Sequence, residues 1–226
     1  AVDALELPPR SLPAAHGICL TSRSRLVRIS ADAPFVIIGE RINPTGKKLL
    51  TQELQAGQCD EALRLADQQV AAGARVLDVN VGASLVDETR MLPELTQHLV
   101  ARLQEPLSLD SSNAAAIAAA LPYAPGSCLV NSISGEGDRM DVLGPLCRDF
   151  GAPFILLPLQ GAKLPVRAGE RIAIVEGLLE KAEALGIPRR LMMVDILALA
   201  VSSKAEGALQ CLEFLRWCTA QGLPAT

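Results

Sequence analysis

Residues 71–82, with the sequence AAGARVLDVNVG, carry the pattern that decides the fold. They hold the end of a helical stretch, then Gly73, a short apolar run, and the polar residues Asp78 and Asn80. A glycine between a helix and a strand fits the left-handed turn that ends many helices. The same order of helix, glycine and strand returns at Gly151 and Gly186. This repetition predicts βαβ units and a parallel sheet.

Outward from this stretch, short apolar runs alternate with amphipathic ones. The predicted strands are 35–40, 75–80, 107–110, 128–132, 153–159 and 191–195. The predicted helices are 60–72, 87–103, 113–121, 138–150, 167–185 and 205–220. A complete barrel of eight such units takes about 250 residues. We therefore expect an α/β fold, a TIM (β/α)8-type barrel truncated after about six βα units.

The first part of the chain has a different composition. Residues 1–33 are rich in proline, serine and arginine and lack helical periodicity. We expect this segment to be a lead-in, and residues 34–226 to form one barrel domain that is incomplete at its carboxyl end. Within the lead-in, ICLTS (18–22) and RLVRIS (25–30) could pair as a hairpin that covers the bottom of the barrel; a plain linker is the alternative.

Composition argues against several classes of partner. The 226 residues are 50% hydrophobic, carry a formal net charge of −4 and contain no basic run, so we expect no nucleic-acid partner. No apolar run reaches the about 18 residues of a membrane span, so we expect no membrane partner. The cysteines form no CxxC pair, which indicates reduced, mostly buried thiols in a cytoplasmic protein and no metal site. They are Cys19, Cys59, Cys128, Cys147, Cys211 and Cys218.

The predicted strands end on carboxylates and amides. In a parallel barrel these ends meet at one mouth, where such folds place their sites. Asp and Asn also cap helices, which is the alternative reading of any single position. Acceptors and amides in this number favour a flat heterocycle rich in N–H donors, and no glycine-rich phosphate loop or GxSxG elbow is present. The residues are Glu40, Asn43, Asp78, Asn80, Asp110, Asn131, Gln160 and Asp195.

Four stretches at these strand ends resemble one family of proteins. The stretches are IIGERINPTGKK (37–48), GARVLDVNVG (73–82), PLSLDSSN (106–113) and LVNSIS (129–134). They are similar to the pterin-binding superfamily, which contains dihydropteroate synthase, methyltetrahydrofolate:corrinoid methyltransferases and the folate domain of cobalamin-dependent methionine synthase. The GERIN and LDVNVG forms resemble the methyltransferase branch. The lead-in SRSRLVRIS (22–30) resembles the connector between the homocysteine and folate modules of methionine synthase.

The resemblance implies a function. The domain would bind 5-methyltetrahydrofolate and pass its N5 methyl group to cob(I)alamin on a corrinoid domain or protein, with a homocysteine-binding module as a possible further partner. By position, Asp110, Asn131 and Asp195 resemble the residues that hydrogen-bond the pterin. Glu40, Asn43, Asp78, Asn80 and Gln160 would complete the pocket.

Two features depart from the family pattern. The family usually has proline after the aspartate that matches Asp195, and this chain has Ile196. The asparagine that the family carries on its seventh strand has no counterpart here, so the resemblance assigns no catalytic residue. A dihydropteroate synthase-like enzyme and a pterin-binding fragment without turnover are the alternatives.

Overall fold

The computed structural model describes residues 17–198 and 205–226. An antiparallel hairpin of β1 (Ile18–Thr21) and β2 (Leu26–Ile29) comes first. Parallel strands then lie side by side in chain order: β3 (Ile38–Ile42), β4 (Val76–Asn80), β5 (Leu107–Asp110), β6 (Leu129–Ser134), β7 (Phe154–Leu157) and β8 (Met192–Val194). The helices are α1 (Lys48–Gln55), α2 (Asp60–Ala71), α3 (Glu88–Arg102), α4 (Ala114–Ala120), α5 (Arg139–Phe150), α6 (Ala168–Ala184) and α7 (Ala205–Ala220).

All six predicted strands and all six predicted helices are present, with ends shifted by a few residues. Gly73, Gly151 and Gly186 have the positive φ expected of helix-ending turns. The sequence reading missed α1, which has only eight residues, no side-chain cap and two buried residues, Leu50 and Leu54. A helix this short gives a weak periodic signal because it completes barely two turns.

The first predicted strand began too early. Sheet pairing starts at the Ile37 carbonyl oxygen, which accepts a hydrogen bond from the Arg75 N–H at 2.9 Å. Phe35 lies before this point and is 94% exposed. Its apolar side chain extended the strand pattern, although the residue does not join the sheet.

Alternation along the strands divides the apolar residues into two layers. One face of each strand packs against the helices in the larger core, as Leu77 and Leu109 do. The other face points into the barrel. Its lower part is a separate apolar cluster of Ile18, Leu20, Val27, Val76, Leu129, Ile155 and Met193.

That lower cluster joins the hairpin to the barrel, because three of its members lie on β1 and β2. The two expected segments therefore do pair, and they cover the amino-terminal ends of the strands. The Thr21 N–H donates to the Ser127 carbonyl oxygen at 2.9 Å, and the Ser127 N–H donates to Thr21 Oγ1 at 2.7 Å. Gly126 has φ +83° and a Cβ there would lie 2.4 Å from Thr21 Oγ1, so only glycine fits this junction.

The carboxyl-terminal residues extend the sheet beyond β8. The Val194 N–H donates to the Pro224 carbonyl oxygen and the Thr226 N–H to the Val194 carbonyl oxygen, both at 2.9 Å. Val194 and Ala225 form a parallel bridge. The described residues thus form six strands of a (β/α)8-type barrel and a short parallel contact at the position of the next strand.

All six cysteines are free, and all except Cys19 are buried. Burial raises the pKa of the Cys128 thiol to about 12, and burial also raises that of Cys147 to about 12. Such thiols are unreactive because almost no thiolate forms near neutral pH. Separately, no helix among residues 17–198 and 205–226 is long and apolar enough to cross a membrane.

Candidate functional site

Above the lower apolar cluster, the barrel interior becomes polar. Asn80, Asp110 and Asn131 are register partners across β4, β5 and β6, so their side chains share one level of the barrel. The Asn80 Nδ2 donates to Asp110 Oδ2 at 2.8 Å. One level deeper on β4, Asp78 accepts a hydrogen bond from Asn131 Nδ2 at 3.2 Å. Two hydrogen bonds therefore connect three neighbouring strands at the mouth.

Glu40 and Asp195 face the same space from β3 and from the end of β8. The charge of Glu40 raises the pKa of Asp78, Asp110 and Asp195, although it is not the largest cause for any of them. We call the following six residues the acid–amide cluster: Glu40, Asp78, Asn80, Asp110, Asn131 and Asp195.

Burial dominates the electrostatics of this cluster. Asp78 is 2% exposed; burial first, and the charge of Asp110 second, raise its carboxyl pKa to about 7. Burial also raises the pKa of Asp110, while the hydrogen bond from Asn80 acts in the opposite direction. The site is therefore rich in hydrogen-bond acceptors, and a ligand with N–H groups would supply donors to its carboxyl groups.

Asp195 closes the other side of the cluster. Its Oδ1 accepts a hydrogen bond from the Leu197 N–H at 2.7 Å. Burial raises the Asp195 pKa, and this bond and the Arg171 charge lower it in part. Ile196 stands where the family has proline, and its carbonyl oxygen accepts a hydrogen bond from Arg171 at 2.7 Å. The loop after β8 is thus fixed by a buried arginine.

Helix capping does not account for these strand-end residues. Helix α4 is capped by Asn113, whose side chain accepts from the Ala115 N–H at 3.0 Å. Helix α3 is capped in the same way by Asp87. Asp110 is therefore free of a capping role and points to the mouth.

Two of the predicted site residues lie outside the cluster. The Asn43 side chain accepts from the Thr45 N–H at 3.0 Å and so stabilises the turn after β3. Gln160 is exposed, three residues beyond the end of β7. It lines a cavity of about 270 Å³ with Ser134 and Lys181, among others.

Sequence reasoning missed Arg139, which follows the glycine-containing turn GEGD (135–138). Its guanidinium donates to the carbonyl oxygens of Ser132 at 2.8 Å and of Ser111 at 3.0 Å, and also to that of Ser112. It therefore ties the loop after β5 to β6, next to Asp110 and Asn131. A lone arginine after a glycine-rich turn gave no signal for this role.

Two further residues support the site without belonging to it. Ser111 Oγ donates to Glu88 Oε2 at 2.6 Å, which holds the start of α3 against the end of β5. Arg171 is 2% exposed and lies on the buried face of α6 with Val175 and Leu178. An arginine at the spacing of an apolar helix face was the signal that could have identified it.

Comparisons with known proteins identify a family for the chain. A family model described as "Pterin binding enzyme" matches residues 39–226. Methylcorrinoid:tetrahydrofolate methyltransferase of Eubacterium limosum is 28% identical over 175 residues, which make up 75% of this chain and 63% of that protein. This chain thus spans under two thirds of the relative's length.

Solved structures share the fold. Dihydropteroate synthase from Xanthomonas albilineans in complex with 7,8-dihydropteroate has a TM-score of 0.63 and 22% identity, over 92% of this chain and 74% of that one. Yersinia pestis DHPS with a pterine–sulfa conjugate has a TM-score of 0.66 and 21% identity, over 92% and 75% of the two chains. At such identities the likeness concerns the fold alone.

Proposed function

Because the chain belongs to the family of pterin-binding enzymes, we propose that the acid–amide cluster binds the pterin ring of a folate for methyl transfer between the folate N5 and a corrinoid. The observation that carries the proposal is the position of the cluster, which lines the mouth with buried and half-buried acceptors connected across three strands. The homology to a corrinoid:folate methyltransferase supports the choice of reaction.

The chemistry of the cluster suits a pterin. The ring presents N–H donors on one edge, and a carboxylate such as Asp110 can accept two of them. Asn80 and Asn131 carry both donors and acceptors, so they can match ring nitrogen and carbonyl atoms. Asp195 faces the ring from the opposite side of the mouth. Asn43 and Gln160 remain candidates for contacts with the outer part of a folate.

In the proposed reaction with 5-methyltetrahydrofolate, the N5–methyl bond breaks, its electron pair stays on N5, and the methyl group is transferred as a cation equivalent. A corrinoid domain or protein, loaded with cob(I)alamin, would supply the nucleophilic cobalt. Transfer requires that N5 is protonated or strongly hydrogen-bonded as it leaves. We assign this role to no described residue, and propose that the chain holds and orients the pterin ring.

The proposed reaction also bears on the final acceptor of the methyl group. Delivery of the methyl group onward to homocysteine would need a homocysteine-binding module and would make the system a methionine synthase. Free thiols buried in the barrel agree with a cytoplasmic location.

Binding of 5-methyltetrahydrofolate, measured by isothermal titration calorimetry, tests the site. Asp110→Ala should weaken binding about 10-fold or more, the effect of losing a hydrogen bond to a charged group. Asp149→Asn is the matched control, since Asp149 is exposed near the carboxyl end of α5. Equal affinity of the Asp110→Ala variant and the wild-type chain would refute the pterin site.

Turnover needs a second measurement. Methyl transfer to free cob(I)alamin, followed by the change in its absorption spectrum, would support the methyltransferase. Binding without transfer would identify the chain as a pterin-binding fragment without turnover. Formation of dihydropteroate from p-aminobenzoate would assign the chain to the synthases instead.

A further inference from the structure

Two carboxyl groups of the cluster are stacked at different depths. Asp78 lies on β4 and is 2% exposed, and Asp110 lies half-buried at the end of β5. Asp78 lies opposite Ser108 and Asp110 lies opposite Asn80, so the two carboxyl groups are diagonal neighbours on the same face of β4 and β5, and Asp78 lowers the pKa of Asp110. Two neighbouring carboxylates repel each other, so a hydrogen bond between them requires a proton on one of them.

The surroundings of the two groups differ in a way that places the proton. Asp110 receives Asn80 Nδ2 at 2.8 Å, and its charge interacts with the Arg139 guanidinium. Both favour its charged form, against Glu40 and Glu88, which oppose it.

Asp78 has weaker support for a charge. It receives Asn131 Nδ2 at the longer distance of 3.2 Å, and Ser108 and Asn131 lower its pKa less than burial and the charge of Asp110 raise it. The charged groups that face it are Asp110 and Glu40, both acidic. The deeper group is therefore the one that keeps the proton, and the upper one is the carboxylate.

We propose that Asp78 is a positioning residue, which retains one proton at the floor of the mouth and uses it to donate a hydrogen bond to Asp110. Asp110 then meets the N–H groups of the ligand as a carboxylate. The effect on ligand binding rests on the proposed pterin binding, whereas the position of the proton on Asp78 does not depend on it. This role separates Asp78, which acts through Asp110, from the residues that contact the ring.

A dependence of binding on pH follows. The pKa of Asp78, raised to about 7 by its burial, means that Asp78 loses its proton just above neutral pH in the free protein. A ligand over the mouth removes water from the pair and disfavours two adjacent charges. Binding at pH 8 should therefore take up a proton, and affinity should fall by up to about 10-fold per pH unit above pH 7.

The position of the proton can be tested without a ligand. Carbon-13 NMR of the aspartate side chains in the free chain should show one buried carboxyl group that titrates near pH 7 and disappears in Asp78→Asn. Persistence of that titration in Asp78→Asn, or its loss only in Asp110→Asn, would overturn the proposal.

The consequence for binding is tested with 5-methyltetrahydrofolate between pH 6 and 9, in buffers of different ionisation enthalpy. Asp78→Asn keeps a weaker donor toward Asp110, so it should bind about 3-fold more weakly at pH 6 and show no proton uptake at pH 8. Asp110→Asn should lose at least about 10-fold in affinity at both pH values.

A comparison of Asp78→Asn with Asp110→Asn tests the inferred roles of these residues separately from the proposed function. A larger loss in Asp78→Asn than in Asp110→Asn would mean that the roles are reversed and would overturn the inference. Absence of folate binding by the wild-type chain would refute the proposed function, while the NMR titration would still decide where the proton lies.

Discussion

At the scale of residues, depth alone gives chemically identical side chains different properties. Asp78 and Asp110 both end up near the axis of the barrel, but only Asp78 is sealed beneath its neighbours. Arg139 and Arg171 are likewise the same residue type with different tasks, since one bonds to the loop after β5 and to β6 and the other to the loop after β8.

The buried carboxyl group should make stability depend on pH. The pKa of Asp78 rises from 3.8 in its ordinary state to about 7 in the folded chain, so between these values the folded state holds a proton that the unfolded state has lost. The free energy of unfolding should therefore fall as pH rises from 5 to 7, by at most about 3 kcal/mol over these two pH units at 1.36 kcal/mol per unit. Above pH 7 this contribution should be constant.

Urea denaturation at pH 5, 6, 7 and 8 measures this effect. Asp78→Asn should be more stable than the wild-type chain at pH 8, and the difference should shrink toward pH 5. The Asp149→Asn control should follow the wild-type profile. A wild-type stability that rises from pH 5 to 8 would contradict the prediction.

Arg139 should stabilise the site and the fold together. Arg139→Ala removes the hydrogen bonds to the Ser111 and Ser132 carbonyl oxygens and should lower the free energy of unfolding by about 2 kcal/mol or more. Pterin affinity should fall as well, because the strand ends that carry Asp110 and Asn131 lose their link.

Arg90→Ala is the control for this variant. Arg90 is paired with Glu94 at 3.7 Å on the surface of α3, and its removal should cost under about 0.5 kcal/mol. Equal effects of the two variants in urea denaturation would show that the Arg139 bonds contribute nothing specific.

At the scale of elements, the hairpin and the mouth occupy opposite ends of the barrel. The hairpin's Leu20 is fully buried and belongs to the apolar cluster below the site. Stability and ligand binding should therefore be separable by variants at the two ends.

Leu20→Ala should destabilise the chain by about 2–5 kcal/mol, because it opens a cavity in a packed cluster. Under native conditions, its affinity for 5-methyltetrahydrofolate should stay within about 2-fold of the wild-type value. Leu26→Ala on β2, where the side chain is 64% exposed, should change the unfolding free energy by under about 0.5 kcal/mol. Thermal denaturation and calorimetry measure the two quantities, and a large loss of affinity in Leu20→Ala would contradict this separation.

At the scale of the whole molecule, the sheet has two edges. Among the described residues, β3 pairs with β4 alone, and residues 224–226 pair with β8 alone. Phe35 is 94% and Ile37 50% exposed beside the first edge. An open edge next to exposed apolar side chains favours pairing with other chains.

The 226-residue chain on its own should therefore self-associate at micromolar concentrations. Ile37→Lys should shift the population toward monomer in sedimentation velocity, because a charge beside the edge opposes pairing. Val142→Lys, at a 43% exposed position on the outer face of α5, should not. Equal sedimentation of the two variants would show that self-association does not use the edge beside Ile37.

The sequence by itself determined the type and order of the six strands and of the six longer or regularly spaced helices that it predicted after the hairpin, but not the short helix α1. Apolar periodicity and the glycines at 73, 151 and 186 are local signals, and they are strong because buried parallel strands and helix-ending turns tolerate few residue types. It also determined that carboxylates and amides end the strands, since parallel strands send all their carboxyl ends to one side.

Only the tertiary structure decided how those side chains meet. The pairing of Asn131 with Asp78 spans 53 positions in the chain, and the depth of Asp78 depends on the register of neighbouring strands. The Asn43 side chain accepts a hydrogen bond within its own turn. Arg139 and Arg171 donate to carbonyl oxygens on loops that are distant in the sequence. Burial, which sets the pKa of the cluster, is a property of the packed barrel, and therefore no local pattern encodes it.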